Sequence, residues 1–195
     1  MNLVPLLLTH SRFDHRKWKA LCAALTFFVG LLLPLLPASL HAETELIAND
    51  KFSDDGASWK LSNGPKITAN MSVEKVDGEQ ALCVAVDMGG ETDGAAEPVL
   101  VRVQRLFGEV AAGKNYRVSF KAKAEKDVNI VAYVSPETDG ARVLWRNEIA
   151  VGADWKEYSF TFTGRDSAPD GAFGFARLGA MTNRYWFKDI VLSED

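Results

Sequence analysis

The chain predicts an all-β fold, an antiparallel sandwich that follows a cleaved leader. Three observations carry this. From Glu43 onward, apolar and polar residues alternate with period two over short windows. No stretch there shows the 3.6-residue periodicity of an amphipathic helix. Asp-Gly pairs, which supply the positive φ angles of tight turns, begin at Asp55, Asp77, Asp93, Asp139 and Asp170.

Residues 1–42 read as a secretory signal peptide. Arg12, Arg16, Lys17 and Lys19 stand against a lone Asp14, an apolar run follows from Ala20 to Leu36, and PASLHA supplies the small-residue exit. Cleavage is expected after Ala42, with Leu40 a tolerated rather than favoured residue before the cut. The competing reading is a retained signal anchor, but a run broken by Gly30 and Pro34 falls short of the ~20 residues that span a bilayer. The basic residues begin late, which leaves open a start downstream of Met1. The expected location is secreted, extracellular or periplasmic, with no membrane association after cleavage.

Residues 43–195 form the expected single domain. The whole chain has net charge −4; this part holds 18 Lys and Arg against 25 Asp and Glu, a net charge of −7. The three histidines, His10, His15 and His41, all lie in the leader. The remainder therefore has no imidazole for a Ser-His-Asp triad, a His-ligated zinc site or a general base. Acidity without a Lys/Arg cluster speaks against nucleic acid as a partner. Cys22 belongs to the leader, so Cys83, in the apolar ALCVAV, has no intramolecular disulfide partner. A chain of about 150 residues buries roughly 70% of its unfolded surface, enough for one core without staples.

The strands follow in order: ELIAN, QALCVAVD, PVLVRVQRLF, NYRVSFKAKA, DVNIVAYV, ARVLWRNEIA, KEYSFTFTG, AFGFARL and YWFKDIVL. In NYRVSFKAKA, Tyr116, Val118, Phe120 and Ala122 share one face, and Arg117, Ser119, Lys121 and Lys123 the other. Tyr158, Phe160 and Phe162 likewise oppose Glu157, Ser159, Thr161 and Thr163. Ile130, Ala132 and Val134 oppose Asn129, Val131 and Tyr133. Faces apolar on one side and mixed on the other suit antiparallel sheets packed as a sandwich. The Glu-Thr-Asp-Gly-Ala that recurs at Glu91 and Glu137 reads as shared turn chemistry rather than a duplication, because the flanking strands do not match.

Four segments in order carry a family resemblance. They are LIANDKFSDDGASW, with Trp59 at its end; Gly113-Lys114-Asn115-Tyr116 leading into RVSFKAKA; Ala153-Asp154-Trp155-Lys156-Glu157-Tyr158 leading SFTFTG; and the closing YWFKDIVL. From about Leu46 to Leu192 the chain resembles the carbohydrate-binding modules of families 4, 9 and 22. The resemblance implies a jelly-roll sandwich with a galactose-binding-like fold. It also implies that Trp59 and Trp155 are structural tryptophans of the core. Trp186, on the closing strand, reads as core, with the groove as the alternative.

The departures bear on a structural calcium. Ser53 stands where the family often has a glutamate that helps hold the ion, followed by the acidic pair Asp54 and Asp55. Lys188-Asp189 replaces the closing Asp-Asp, placing an ammonium where a cation site would want oxygens. Asp189 is the best surviving ligand for such a calcium; no other cofactor is expected.

A sugar ring is recognised by a flat aromatic platform and a few fixed hydrogen-bonding groups. In the resembled fold these lie in a groove on the outer, concave face of one sheet, at the alternates of the core positions. That rule selects Arg117 and Lys121 with Ser119, Asn129 with Tyr133, and Glu157 with Thr161. Trp145, flanked by Arg142, Arg146 and Asn147, is the first choice of platform, and Tyr133 the second. Lys121, where some of these modules carry an aromatic, speaks against a long neutral glycan and favours an acidic or charged polymer, or another ligand altogether. Arg177 follows Phe173 and Phe175, a period that Leu178 breaks, so a bulge would decide its face.

The expected function is an exported, non-catalytic protein that binds a poly- or oligosaccharide and works beside a separate catalytic partner. A structural or protein-interaction sandwich with no sugar ligand is the alternative. A jelly-roll glycoside hydrolase or lyase is more remote. Glu91 and Glu97 are the only acid pair suggesting it, and their spacing and glycine-rich surroundings read as a turn.

Overall fold

A computed structural model describes residues 43–48, 51–64, 67–87 and 101–195. The leader, the Asp93 turn and the Glu91–Glu97 pair lie outside these residues. The described residues form eleven strands: β1 (Thr44–Ile47), β2 (Trp59–Ser62), β3 (Ala69–Val76), β4 (Glu79–Val86), β5 (Arg102–Val110), β6 (Asn115–Ala124), β7 (Val128–Pro136), β8 (Trp145–Val151), β9 (Lys156–Thr163), β10 (Ala168–Ala176) and β11 (Asn183–Glu194). One 3₁₀ turn, Leu178–Ala180, joins the last two. Two antiparallel sheets result. One runs β3-β4-β11-β6-β9, with β1 added to β11; the other runs β2-β5-β10-β7-β8. β2 and β3 were not expected from sequence. Both are edge strands, and β3 alternates half-buried Met71 and Val73 with exposed or polar neighbours, so little of it reads as apolar.

Alternation builds the core. Tyr116, Val118, Phe120 and Ala122 of β6 are at most 1% exposed, as are Ile130, Ala132 and Val134 of β7 and Phe173 and Phe175 of β10. Phe175 of the five-stranded sheet stacks on Phe187 of the six-stranded sheet at 3.9 Å, and Phe120 meets the Phe175 edge at 4.9 Å. Such contacts add to the burial of large rings. Trp59 is core, as expected, 3% exposed and stacked over Phe175.

The Asp-Gly turns divide. Asp77 and Gly78 both have positive φ, 53° and 89°, and form the two-residue hairpin between β3 and β4. Asp55 and Gly56 have positive φ as well, and Asp54 caps that turn by accepting from the Gly56 and Ser58 amides. Asp170-Gly171, however, lies inside β10 at a register shift. Its glycine serves close approach: a Cβ there would come within 2.9 Å of Gly108 O and nearer still to Val110 and Phe107.

Trp155 and Trp186 correct their core expectation. Both are half-buried on the outer face of the six-stranded sheet. The Trp155 indole donates to Asp77 at 2.9 Å, with the Lys188 ammonium 4.5 Å from its ring centre. Trp186 donates to Glu74, and Lys123 lies 5.4 Å from its ring. Parity explains both placements. Trp155 stands an odd number of residues before inward Tyr158, and Trp186 sits between inward Tyr185 and Phe187.

Candidate functional site

Inward Phe173 and Phe175 turn the alternate residues of β10 outward, and these are small: Ala172, Gly174 and Ala176. β10 is the middle strand of its sheet; Ala172 and Gly174 are covered by their neighbours, and half-exposed Ala176 leaves a groove on the outer face. Larger side chains from the flanking strands wall it. Gln104 of β5 and Tyr133 of β7 are the partners of Gly174 on either side, and Arg146 of β8 pairs with Tyr133. Two residues along, Ala176 pairs with Val131, and Val131 with Glu148; Arg102 lies two residues from Gln104 on the same face of β5. The groove encloses about 600 Å³ and is lined by Arg102, Val131, Tyr133, Arg146, Glu148 and Arg177, with the β7–β8 loop at one side.

Tyr133 occupies the outward position that alternation assigns, but it is not an exposed platform. It is 5% exposed, and its hydroxyl donates to Gln104 Oε1 at 2.8 Å across Gly174. A Cβ at Gly174 would lie 2.3 Å from Val103 O and 2.8 Å from Gln104 Cβ, so only glycine keeps β5 and β10 this close. Burial pushes the Tyr133 hydroxyl up to about 12, which keeps it a donor at any ordinary pH.

Arg177 ends β10 in the left-handed region, at φ 63°. No bulge decides its face; this residue turns the chain out of the strand. Its guanidinium reaches over β7 to Glu148 at 3.4 Å.

The residues chosen from sequence are not brought together. Trp145 shares a parity with inward Ile149 and Val151. It stacks on Phe162 at 5.2 Å and leans on Phe160 at 5.7 Å, on the side of the sheet away from Tyr133. It therefore packs against the core rather than offering a free ring to the groove. Arg117 and Lys121 do face outward, but from β6 in the six-stranded sheet, as do Glu157 and Thr161 of β9. Consecutive strands β6 and β7 belong to opposite sheets, so these residues and Tyr133 lie on opposite faces of the sandwich. Arg117 pairs with Asp195 at 3.8 Å. Asn129 shares the Tyr133 face but lines a separate depression with Gly152 and Met181.

Asp189, the carboxylate expected to hold a calcium ion, is engaged by a lysine. Asp189 Oδ2 lies 2.9 Å from the Lys121 ammonium, whose hydrogen bond and charge from Asp189 raise the Lys121 pKa. Among the described residues no three acidic, His or Cys side chains cluster as metal ligands would.

Arg102 and Gln104 were missed from sequence, although Val101-Arg102-Val103-Gln104 alternates. Val101 and Val103 are fully buried, Arg102 lines the groove, and Gln104 turns to the same face to accept from Tyr133.

A family model described as a carbohydrate binding domain, of the family 4 and 9 type, matches residues 44–176. The chain belongs to this carbohydrate binding domain family. No curated protein matches it in sequence. Solved structures share the domain's fold at low identity. A CBM4 module is 21% identical with a TM-score of 0.58, the match covering 76% of this chain and 94% of that one. The N-terminal cellulose-binding domain of Cellulomonas fimi β-1,4-glucanase C is 22% identical with a TM-score of 0.52, over 73% and 92% of the two chains. TmCBM61, solved in complex with β-1,4-galactotriose, is 19% identical with a TM-score of 0.52, over 76% and 97%. At these identities the likeness establishes the carbohydrate binding domain's fold.

Proposed function

We propose that this carbohydrate binding domain is an exported, non-catalytic module that holds a poly- or oligosaccharide in the groove of the five-stranded sheet. One observation carries the reading: in a chain of this family, the outer face of that sheet holds a groove where half-exposed Ala176 of the central strand and Val131 lie among the hydrogen-bonding side chains of Arg102, Arg146, Asn147 and Glu148. An extended sugar chain needs such a trough, with apolar floor for ring C–H faces and fixed polar groups for hydroxyls. Any bond cleavage would fall to a separate catalytic protein.

The test is titration calorimetry of the purified chain against a broad panel of soluble polysaccharides. Wild type should bind at least one. Ala176→Trp, which fills the trough from a half-exposed floor position, should abolish binding while leaving the melting temperature within a few degrees. Arg117→Ala and Lys121→Ala, on the opposite face, should bind as wild type does. Absence of binding across the panel, or loss only in the opposite-face variants, overturns the reading. Export is checked by mass spectrometry of the secreted protein, which should begin at Glu43; an intact amino terminus in the membrane fraction would restore the anchor.

A further inference from the structure

We infer that the groove selects glycans bearing anionic groups, the carboxylate of a uronic acid or a sulfate ester. The inference rests on the carbohydrate reading above and specifies its ligand class.

Arg102, Arg146 and Arg177 enter the groove from the β5, β8 and β10 sides. Glu148 is the only carboxylate among the described lining residues, and it is engaged by Arg177 at 3.4 Å. Among the described residues no carboxylate lies within ion-pair distance of Arg102 or Arg146. The groove thus concentrates cationic charge in a chain whose net charge is −4. On the opposite sheet several basic side chains are matched locally, Arg117 with Asp195, Lys121 with Asp189, Lys123 with Asp77 and Lys188 with Glu79.

The two guanidiniums without an ion pair among the described residues are also positioned. Arg146 is the cross-strand partner of Tyr133. Arg102 lies near enough to favour the phenolate charge of Tyr133, and it backs onto the β7–β8 loop at Gly140, where a Cβ would sit 2.8 Å from its Nη1. A side chain at residue 140 would displace that guanidinium. Arg102 and Arg146 therefore flank the same buried phenol, beside half-exposed Ala176.

A neutral sugar laid in this trough would strip water from both guanidiniums and offer only hydroxyls in return, an unfavourable exchange for a charge. A carboxylate or sulfate accepts two parallel N–H bonds from the planar fork, and the ionised acceptor strengthens each. The preference follows from the difference between those two cases.

The experiment uses the purified chain and paired probes. Polygalacturonate and alginate are compared with their carboxyl-reduced forms, chondroitin sulfate and carrageenan with their desulfated forms, and neutral xylan and β-glucans are included. The expected result is binding of an anionic polymer, weakened about 10-fold or more by neutralisation and weakened by raising salt from 50 to 500 mM. Arg102→Gln and Arg146→Gln should each lose about 10-fold with unchanged melting temperature, and Arg146→Lys should recover only part. Arg102→Lys serves if the glutamine variant fails to fold. The carboxylate and sulfate arms identify which group is read. Neutral glycans bound as tightly as anionic ones, or arginine variants without effect, overturn this inference and leave the carbohydrate reading standing. Equal loss in Arg117→Gln, on the other face, also overturns it, because the attraction is then diffuse. If no glycan of either kind binds, both fall.

Discussion

Tyr133 and Gln104 meet across Gly174: two side chains from strands that are not neighbours bond at 2.8 Å because the strand between them carries no side chain there. Both partners are nearly inaccessible, 5% and 9% exposed. The bond stitches the floor of the groove to the sheet, and it makes the groove's shape depend on one glycine.

Tyr133→Phe deletes the donor and leaves the Gln104 oxygen short of a partner. The expected cost is about 1–3 kcal/mol, read as a melting temperature lower by roughly 2–4 °C per kcal/mol for a domain of this size. Gly174→Ala is expected to cost at least as much, because its Cβ would press on the Val103 carbonyl and drive β5 from β10. A Gly174→Ala protein as stable as wild type would show that the strands separate freely.

Trp145 and Trp155 exchange the roles that their sequence contexts suggest. Trp145→Ala removes a ring stacked on Phe162 and tilted against Phe160 and is expected to cost about 2–4 kcal/mol. Trp155→Ala removes a ring lying between the ammoniums of Lys188 and Lys123, worth about 1–2 kcal/mol in all. Chemical denaturation of the two variants should rank Trp145→Ala as the less stable. The opposite order would return Trp155 to the core.

Acid should loosen the contact between Asp77 and Trp155. The Trp155 indole and then the Lys123 ammonium hold its carboxyl below its ordinary 3.8. A depressed carboxylate contributes stability above its unfolded value and loses it as pH falls through the folded one. Trp155 fluorescence should therefore change below about pH 4, and Asp77→Asn should remove that step. A step that persists unchanged in Asp77→Asn belongs to another group.

Base should act through the buried phenols. Burial pushes Tyr133 and Tyr185 up to about 12. Below about pH 10 folded and unfolded chains hold these protons alike; above it the unfolded chain releases them first. Stability should fall between about pH 10 and 12, and absorbance titration of the native protein should show these two tyrosines ionising late. Tyr133→Phe should remove part of the late absorbance. Full tyrosine ionisation near pH 10 in a still-folded protein would show that neither phenol is buried.

The two-sheet fold was legible because strand periodicity is a local property. Inward Tyr116, Val118 and Phe120, and inward Tyr158, Phe160 and Phe162, follow from spacing alone. The edge strand β3 was not legible, since a strand covered on one side by solvent carries a weak apolar signal. Parity also held information that motif resemblance obscured: the odd step from Trp155 to Tyr158 turns that indole outward.

By itself the sequence determined the fold class, the inward halves of β6, β7 and β9 and the outward placement of Tyr133, Arg117 and Lys121, because each depends only on the two-residue period. It could not determine which outward residues share a surface. Only tertiary structure decided that β6 and β7, adjacent in the chain, join different sheets, and that β5, β10, β7 and β8 join one. Pairing of strands distant in sequence is settled by how the two inner faces pack against each other, so the groove from Arg102 to Arg177 is written in no single stretch of the chain.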